Sequence, residues 1–133
     1  VIPTLRYRDA PAAVTFLCDA FGFTAPLVVR ADDGSIEHAQ LVHGSGMVMV
    51  GSHRQDAYGS QIGSTAEADR PTGGIYVIVD DVYGHAETAR RAGATITMEP
   101  ETQDYGGSGY TCTDPEGHVW SFGDYDPWDA DSA

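Results

Sequence analysis

Five histidines, twenty carboxylates and two cysteines are the side chains through which this 133-residue chain could do chemistry. His38, His43, His53, His85 and His118 fall at no HxH, HExxH or closed zinc spacing. Cys18 and Cys112 show no CxxC. The first lies in an apolar helical pattern and the second in a strand-like one, which reads as two buried free thiols rather than a disulfide. The late stretch TDPEGHVWSFGDYDP sets Asp114 and Glu116 close to His118 and invites an acid–base reading. Asp followed by Pro is also ordinary type I turn chemistry, and we read it as a turn. No Walker A, dinucleotide fingerprint or nucleophile elbow occurs, and GGSG at 106–109 follows no strand-to-helix unit. No nucleophile–base pair is legible. What remains is recognition by aromatic, hydroxyl and amide side chains, and its geometry depends on which face of which strand carries them.

The elements follow from periodicity and turn signals. Residues 1–9 alternate as a strand. Asp9 is a helix N-cap with Pro11 in the first turn, and Val14, Leu17, Cys18 and Phe21 form one apolar helical face, stopped by Gly22. Three strands come next, separated by Asp33-Gly34 and by Gly44-Ser45-Gly46. Residues 53–72 lack a period and read as a long mobile linker. GGIYVIVDD is then a strand, VYGHAETARRAGA a helix ending at Gly93, TITMEP a strand, and YTCTDPEGHVWSFG a closing hairpin. The two halves repeat at a shift of 71 or 72 residues, which lays Asp9 near Asp80–Asp81, Gly22 near Gly93 and Gly46 on Gly117. The reading is one α+β domain over 1–133, with module one about 1–52, a linker over 53–72 and module two about 73–128. Each module buries one sheet face under its helix and leaves the other to line a concavity.

This tandem βαβββ pattern, with LRYRDAPAAVTFLCDAFGF opening the first half and DPEGHVWSFGDYDPW closing the second, resembles the glyoxalase / bleomycin-resistance / extradiol dioxygenase superfamily, the vicinal oxygen chelate fold. It looks most like the PhnB-like branch. In metal-dependent members each module supplies two ligands, one early on its first strand and one on its last. By register, the resemblance places these at Ile2, Val50, Gly74 and Ser121. A one-residue slip brings Met49 or Gly51 in place of Val50. None is an imidazole, carboxylate or thiolate. The expectation is therefore no metal and no other cofactor.

The open faces then give the candidate ligand contacts. On the first strands, alternation with Ile2 selects Thr4 and Arg6, and alternation with Gly74 selects Tyr76 and Ile78. A three-residue GSG loop with a glycine bulge would set Gln40 opposite Val50, so that His38, Gln40, Val48 and Val50 share that face while Met47 and Met49 turn to the core. His38 reads equally as a structural histidine or as a ligand contact; His85, on the second helix, reads as exposed, and His43 and His118 as solvated beside turns. The same loop geometry puts Thr111 and Thr113 beside Ser121 and Val119, with Trp120 and Phe122 in the core. Tyr105, on a glycine-rich loop, could fold over the cavity, and Trp128 in the acidic tail is unusual unless it docks.

Composition bounds the function. The net charge is −13, with seven arginines and no lysine. That balance argues against nucleic acid, whose phosphates need a basic footprint. It would attract a cationic small molecule, or serve only solubility. No apolar run nears the ~20 residues of a membrane span, and VIPTLRYRD has no secretory pattern, so a cytoplasmic location is expected. With the ligand positions empty of donors, the resemblance to the bleomycin-resistance branch, which sequesters drugs without metal chemistry, implies a metal-free small-molecule-binding protein, sequestering an antibiotic or other aromatic metabolite. The resemblance implies a homodimer. The alternative is an enzyme, a glyoxalase-type lyase or isomerase or a dioxygenase, with a displaced metal site that includes His38.

Overall fold

The computed structural model describes residues 1–104 and 106–129, so Tyr105 lies outside the described residues. The chain divides into two compact units, Val1–Arg70 and Pro71–Ala133. Each holds a βαβββ module. Module one comprises β1 (Thr4–Tyr7), α1 (Ala10–Phe21), β2 (Thr24–Arg30), β3 (Ile36–His43) and β4 (Gly46–Ser52). Module two comprises β5 (Gly74–Ile78), α2 (Val82–Arg91), β6 (Thr95–Thr102), β7 (Ser108–Thr113) and β8 (Val119–Gly123). The strand orders are β1-β4-β3-β2 and β5-β8-β7-β6. In each sheet the first strand runs parallel to the last and the other pairs are antiparallel. This is the α+β architecture expected.

The helices begin and end where their sequences dictate. Asp9 accepts from the Ala12 N–H at 3.2 Å and Asp81 from the Gly84 N–H at 3.0 Å, each satisfying a first-turn donor that the helix cannot. Gly22 stops α1 at φ 85°, returning its N–H to the Cys18 carbonyl while Phe23 reaches Leu17. A side chain would be strained there. α1 buries Ala13, Val14, Phe16, Leu17, Ala20 and Phe21 over Tyr7, Ile36, Ala39, Leu41, Val48 and Val50. α2 buries Val82, Ala86 and Ala89, with Tyr110, Cys112, Trp120 and Phe122 in the sheet beneath.

One register differs from expectation. His43 pairs directly with Gly46, so the β3–β4 connection is the two-residue loop Gly44-Ser45. Only Gly44 has positive φ, at 57°, which suits a type II′ hairpin turn. Gln40 therefore faces Met49, not Val50. A shift of one residue turns every side chain to the opposite face. Val48 and Val50 are buried core residues at 3% and 2% exposure, while Met47 and Met49 are half-buried on the face not covered by α1. In module two the expected pairing holds: Thr111 faces Ser121 and Thr113 faces Val119.

The stretch read as a linker makes contacts of its own within the first unit. Arg54 donates to Ser35 Oγ at 2.8 Å, His53 Nε2 lies 3.4 Å from Glu67, and Thr65–Glu67 form one 3₁₀ turn.

Candidate functional site on module two

Strand pairing aligns one residue from each strand into a row across the open face. In module two the row is Tyr76, Ser121, Thr111 and Met98. Thr111 Oγ1 and Ser121 Oγ are 2.9 Å apart and share a hydrogen bond. A cavity of about 580 Å³ opens over this row, with Glu101 and Gln103 of the β6 end at its rim. Its chemistry is an aromatic ring and a thioether flanking a neutral hydroxyl pair.

Tyr76 owes its position to a missing side chain. A Cβ built on Gly123 would fall 2.7 Å from the Tyr76 hydroxyl oxygen and 3.0 Å from its ring, so glycine is what lets the ring lie over β8. The hydroxyl donates to the Tyr125 carbonyl at 2.7 Å. Burial, then the Asp124 charge, raises its pKa above the usual tyrosine value, so the phenol stays protonated at neutral pH. With that proton engaged, the ring is what Tyr76 offers to the cavity. Glu99, also at the wall, is held by both guanidinium nitrogens of Arg90, and Arg90 depresses its pKa. Glu101 has no such partner among the described residues.

The row has a framework behind it. Asp114 is 4% exposed and accepts from the Glu116 N–H at 3.0 Å, the His118 N–H at 3.1 Å and the Trp120 indole N–H at 3.1 Å. With Gly117 returning its N–H to the Asp114 carbonyl, this carboxylate is a turn organiser. His85 is half-buried rather than exposed: its ring lies 4.3 Å from Phe122 and its Nδ1 bonds the Tyr110 hydroxyl at 2.5 Å. The buried face of α2 explains this, since helical spacing puts His85 one turn from the buried Val82 and Ala89, over the aromatic rings of the sheet.

In module one the corresponding row is Thr4, Met49, Gln40 and Leu27, offset from the first by 71 or 72 residues. Its own chain lies against it. Tyr58 Oη bonds Thr4 Oγ1 at 3.0 Å, and the Arg6 guanidinium sits 4.8 Å from the Tyr58 ring centroid while donating to the Ser52 carbonyl at 3.0 Å. His38 Nε2 and Gln40 Nε2 are 3.1 Å apart, both half-buried.

Of the residues singled out in the sequence, Tyr76, Thr111 and Ser121 come together around the cavity. Ile78 is exposed farther along β5, and Thr113 is half-buried between Thr95 and Val119. Thr4, Arg6, His38 and Gln40 belong to module one's open face. Trp128 is 92% exposed, its N–H bonded to Asp126 Oδ1. Sequence reasoning missed Met98, Glu101 and Gln103. Met98 carried a signal, as an apolar residue inside the polar run TITMEPET.

The metal positions drawn from the resemblance do not fit a divalent ion. Ile2, Gly74 and Ser121, with Met49 now on the face assigned to Val50, provide no imidazole, carboxylate or thiolate. Among the described residues no three His, Cys, Asp or Glu side chains gather as a metal would require.

Known structures of this architecture are numerous. TioX from Micromonospora sp. ML1 is 31% identical, with a TM-score of 0.73 over 92% of this chain and 93% of that one. A member of the glyoxalase/bleomycin resistance protein/dioxygenase superfamily from Sphaerobacter thermophilus DSM 20745 is 21% identical, with a TM-score of 0.68 over 92% and 95%. The fosfomycin resistance protein FosX from Mesorhizobium loti is 16% identical, with a TM-score of 0.66 over 96% and 92%, a likeness of fold. No curated protein matches the chain. Residues 3–122 match the family model described as Glyoxalase/Bleomycin resistance protein/Dioxygenase superfamily. With that match over most of its length, and with two tandem βαβββ modules, the chain belongs to the glyoxalase / bleomycin resistance protein / dioxygenase superfamily.

Proposed function

We propose that this protein binds an aromatic small molecule in the module-two cavity without a metal, and that it sequesters an antibiotic or other aromatic metabolite rather than transforming it. The observation that carries the reading is the row Tyr76, Ser121, Thr111 and Met98 beneath a cavity of about 580 Å³. That volume lies in the range of small-molecule sites, which pair apolar walls with a few polar groups. The Thr111–Ser121 pair offers hydroxyls that accept or donate as a ligand requires. Among the described residues neither hydroxyl is hydrogen-bonded to a base that would make it a nucleophile; each bonds the other. Glu101 at the rim, with the net charge of −13, favours a ligand bearing a cationic group. Relatives named for fosfomycin resistance and for the bleomycin-resistance family support an antibiotic as the ligand class.

We also read the protein as a cytoplasmic homodimer. Leu27, Val29 and Ile78 on the open faces are 37–41% exposed in the single chain, apolar surface that association would cover. No helix among the described residues is long and apolar enough to cross a membrane. A thermal-shift screen of aromatic antibiotics, cationic ones included, tests the binding reading, because a ligand of the native state raises stability in proportion to RT ln(1 + [L]/Kd). Hits whose shift is lost in Tyr76→Ala and Ser121→Met carry it. Recovery of a chemically altered ligand, or one equivalent of metal per chain, would replace it with the enzymatic reading.

A further inference from the structure

The segment after β4 does more than connect the modules. Asp56 caps a tight turn, accepting the Gly59 N–H at 2.7 Å, and the Asp56 carbonyl accepts the Ser60 N–H at 3.0 Å. A Cβ at Gly59 would collide with the Arg54 carbonyl at 1.6 Å, so the turn demands glycine at that point. The product of this geometry is Tyr58, delivered onto module one's open face. Its hydroxyl meets Thr4 Oγ1 and its ring takes the Arg6 guanidinium on one side. Arg6 is itself set beforehand: Nη1 is fixed by the Ser52 carbonyl, and the guanidinium lies over Gly51, where a Cβ would approach to 3.0 Å. A hydroxyl partner and a cation facing the ring, that cation itself seated on Gly51, together make a receptor for a phenol. Yet Tyr58 remains 42% exposed, so it covers the site without being locked into a core.

We infer that module one carries a second binding site, specific for phenolic small molecules, which Tyr58 occupies as a built-in ligand and from which a free phenol can displace it. Recognition comes from a hydrogen bond between the ligand hydroxyl and Thr4 and from stacking of its ring against Arg6. The inference stands on module-one contacts alone and does not depend on the reading of the module-two cavity.

The test uses 4-methylphenol, the free form of the tyrosine side chain, with the full-length protein. In Tyr58→Ala the receptor is vacated, and 4-methylphenol at ten times its dissociation constant should raise the melting temperature by about 5 °C beyond any shift it causes in wild type. Toluene, which lacks the hydroxyl, should give less than half of that shift. Adding Arg6→Gln or Thr4→Val to Tyr58→Ala should abolish the gain, while adding Tyr76→Ala should leave it. An independent readout is the Arg6 side-chain NMR signal, shifted by the Tyr58 ring current in wild type, released in Tyr58→Ala and restored by 4-methylphenol. Equal shifts in wild type and Tyr58→Ala, or a gain removed by Tyr76→Ala instead of Arg6→Gln, would overturn the inference. So would an Arg6 signal that 4-methylphenol does not move.

Discussion

The two open faces are built on one plan and furnished with different side chains. Across four strands module one presents Thr4, Met49, Gln40 and Leu27, and module two presents Tyr76, Ser121, Thr111 and Met98. The first row is met by a tyrosine from its own trailing segment. The second carries its tyrosine in the row and sends that hydroxyl outward to the Tyr125 backbone. In module two small hydroxyls replace the long Met49 and Gln40 side chains at the centre, and a cavity results. The difference teaches that a duplicated scaffold is specialised by the size of two central residues and by the segment trailing its last strand. The strand register itself is kept.

The comparison breaks most visibly at the turns before the last strands. Gly44-Ser45 closes module one's hairpin with backbone conformation alone, whereas module two's longer turn hangs on Asp114. Asp114→Ala removes the carboxylate that accepts from three N–H donors, the buried Trp120 indole among them, and should destabilise the protein by about 3 kcal/mol. Ser45→Ala should change stability by less than about 0.5 kcal/mol. Denaturant melts followed by far-ultraviolet circular dichroism measure both, and similar midpoints would remove the distinction.

Next come the tyrosines. Tyr76→Ala should weaken a ligand of the module-two cavity by about 1–3 kcal/mol, while Thr4→Ala, at the matching position of module one, should leave that ligand's affinity unchanged. Calorimetry with a hit from the thermal screen decides it, and equal losses would mean that the cavity is assigned to the wrong face. Thr111→Val removes one hydroxyl of the central pair at nearly constant volume and should cost about 1 kcal/mol of affinity for a ligand that bonds there. An unchanged affinity would show that only the apolar walls are read.

The smallest contrast is between the two free thiols. Cys18 of α1 is half-buried, and its pKa is raised by burial and then by Asp19. Cys112 is fully buried, and burial pushes its thiol up to about 12. A thiol reagent at neutral pH should modify Cys18 slowly and spare Cys112 until the protein unfolds. Because the folded pKa of Cys112 lies above its ordinary value of 9.0, its contribution to stability is complete below pH 9 and is lost between pH 9 and about 12. A Cys112→Ala variant should show a shallower alkaline decline than wild type. Matched modification rates would mean that module two's core opens as readily as module one's helix surface.

Most of the fold was legible because its signals are local. Asp9 and Asp81 cap, Gly22 terminates, and the 71–72-residue shift recurs in every strand pairing. The register of β3 on β4 turns on one dipeptide. Gly44-Ser45 is itself a two-residue hairpin signal, and taking Gly46 into the loop moves Val48 and Val50 to the wrong face. The lining of the candidate cavity was half legible. Tyr76, Thr111 and Ser121 follow from alternation on strands of correct register. Met98 and Glu101 sit on an edge strand whose pairing is irregular between Ile96 and Glu101, where period-two reasoning loses count, and Gln103 lies just past its end. Tyr58 was beyond reach, since nothing in an aperiodic glycine-rich stretch tells which residue a turn will aim back at the sheet.

Gly123 decides where the Tyr76 ring can lie. One added methyl there would meet the Tyr76 ring on one side and the Ser108 carbonyl, at 3.0 Å, on the other. Of the two, the half-exposed ring is the one able to yield, at the expense of its hydroxyl bond to the Tyr125 carbonyl, because the Ser108 carbonyl belongs to strand backbone. A single missing methyl group on β8 thus fixes how far an aromatic ring reaches over the neighbouring row, and restoring it would trade that reach against crowding at the Ser108 carbonyl of β7.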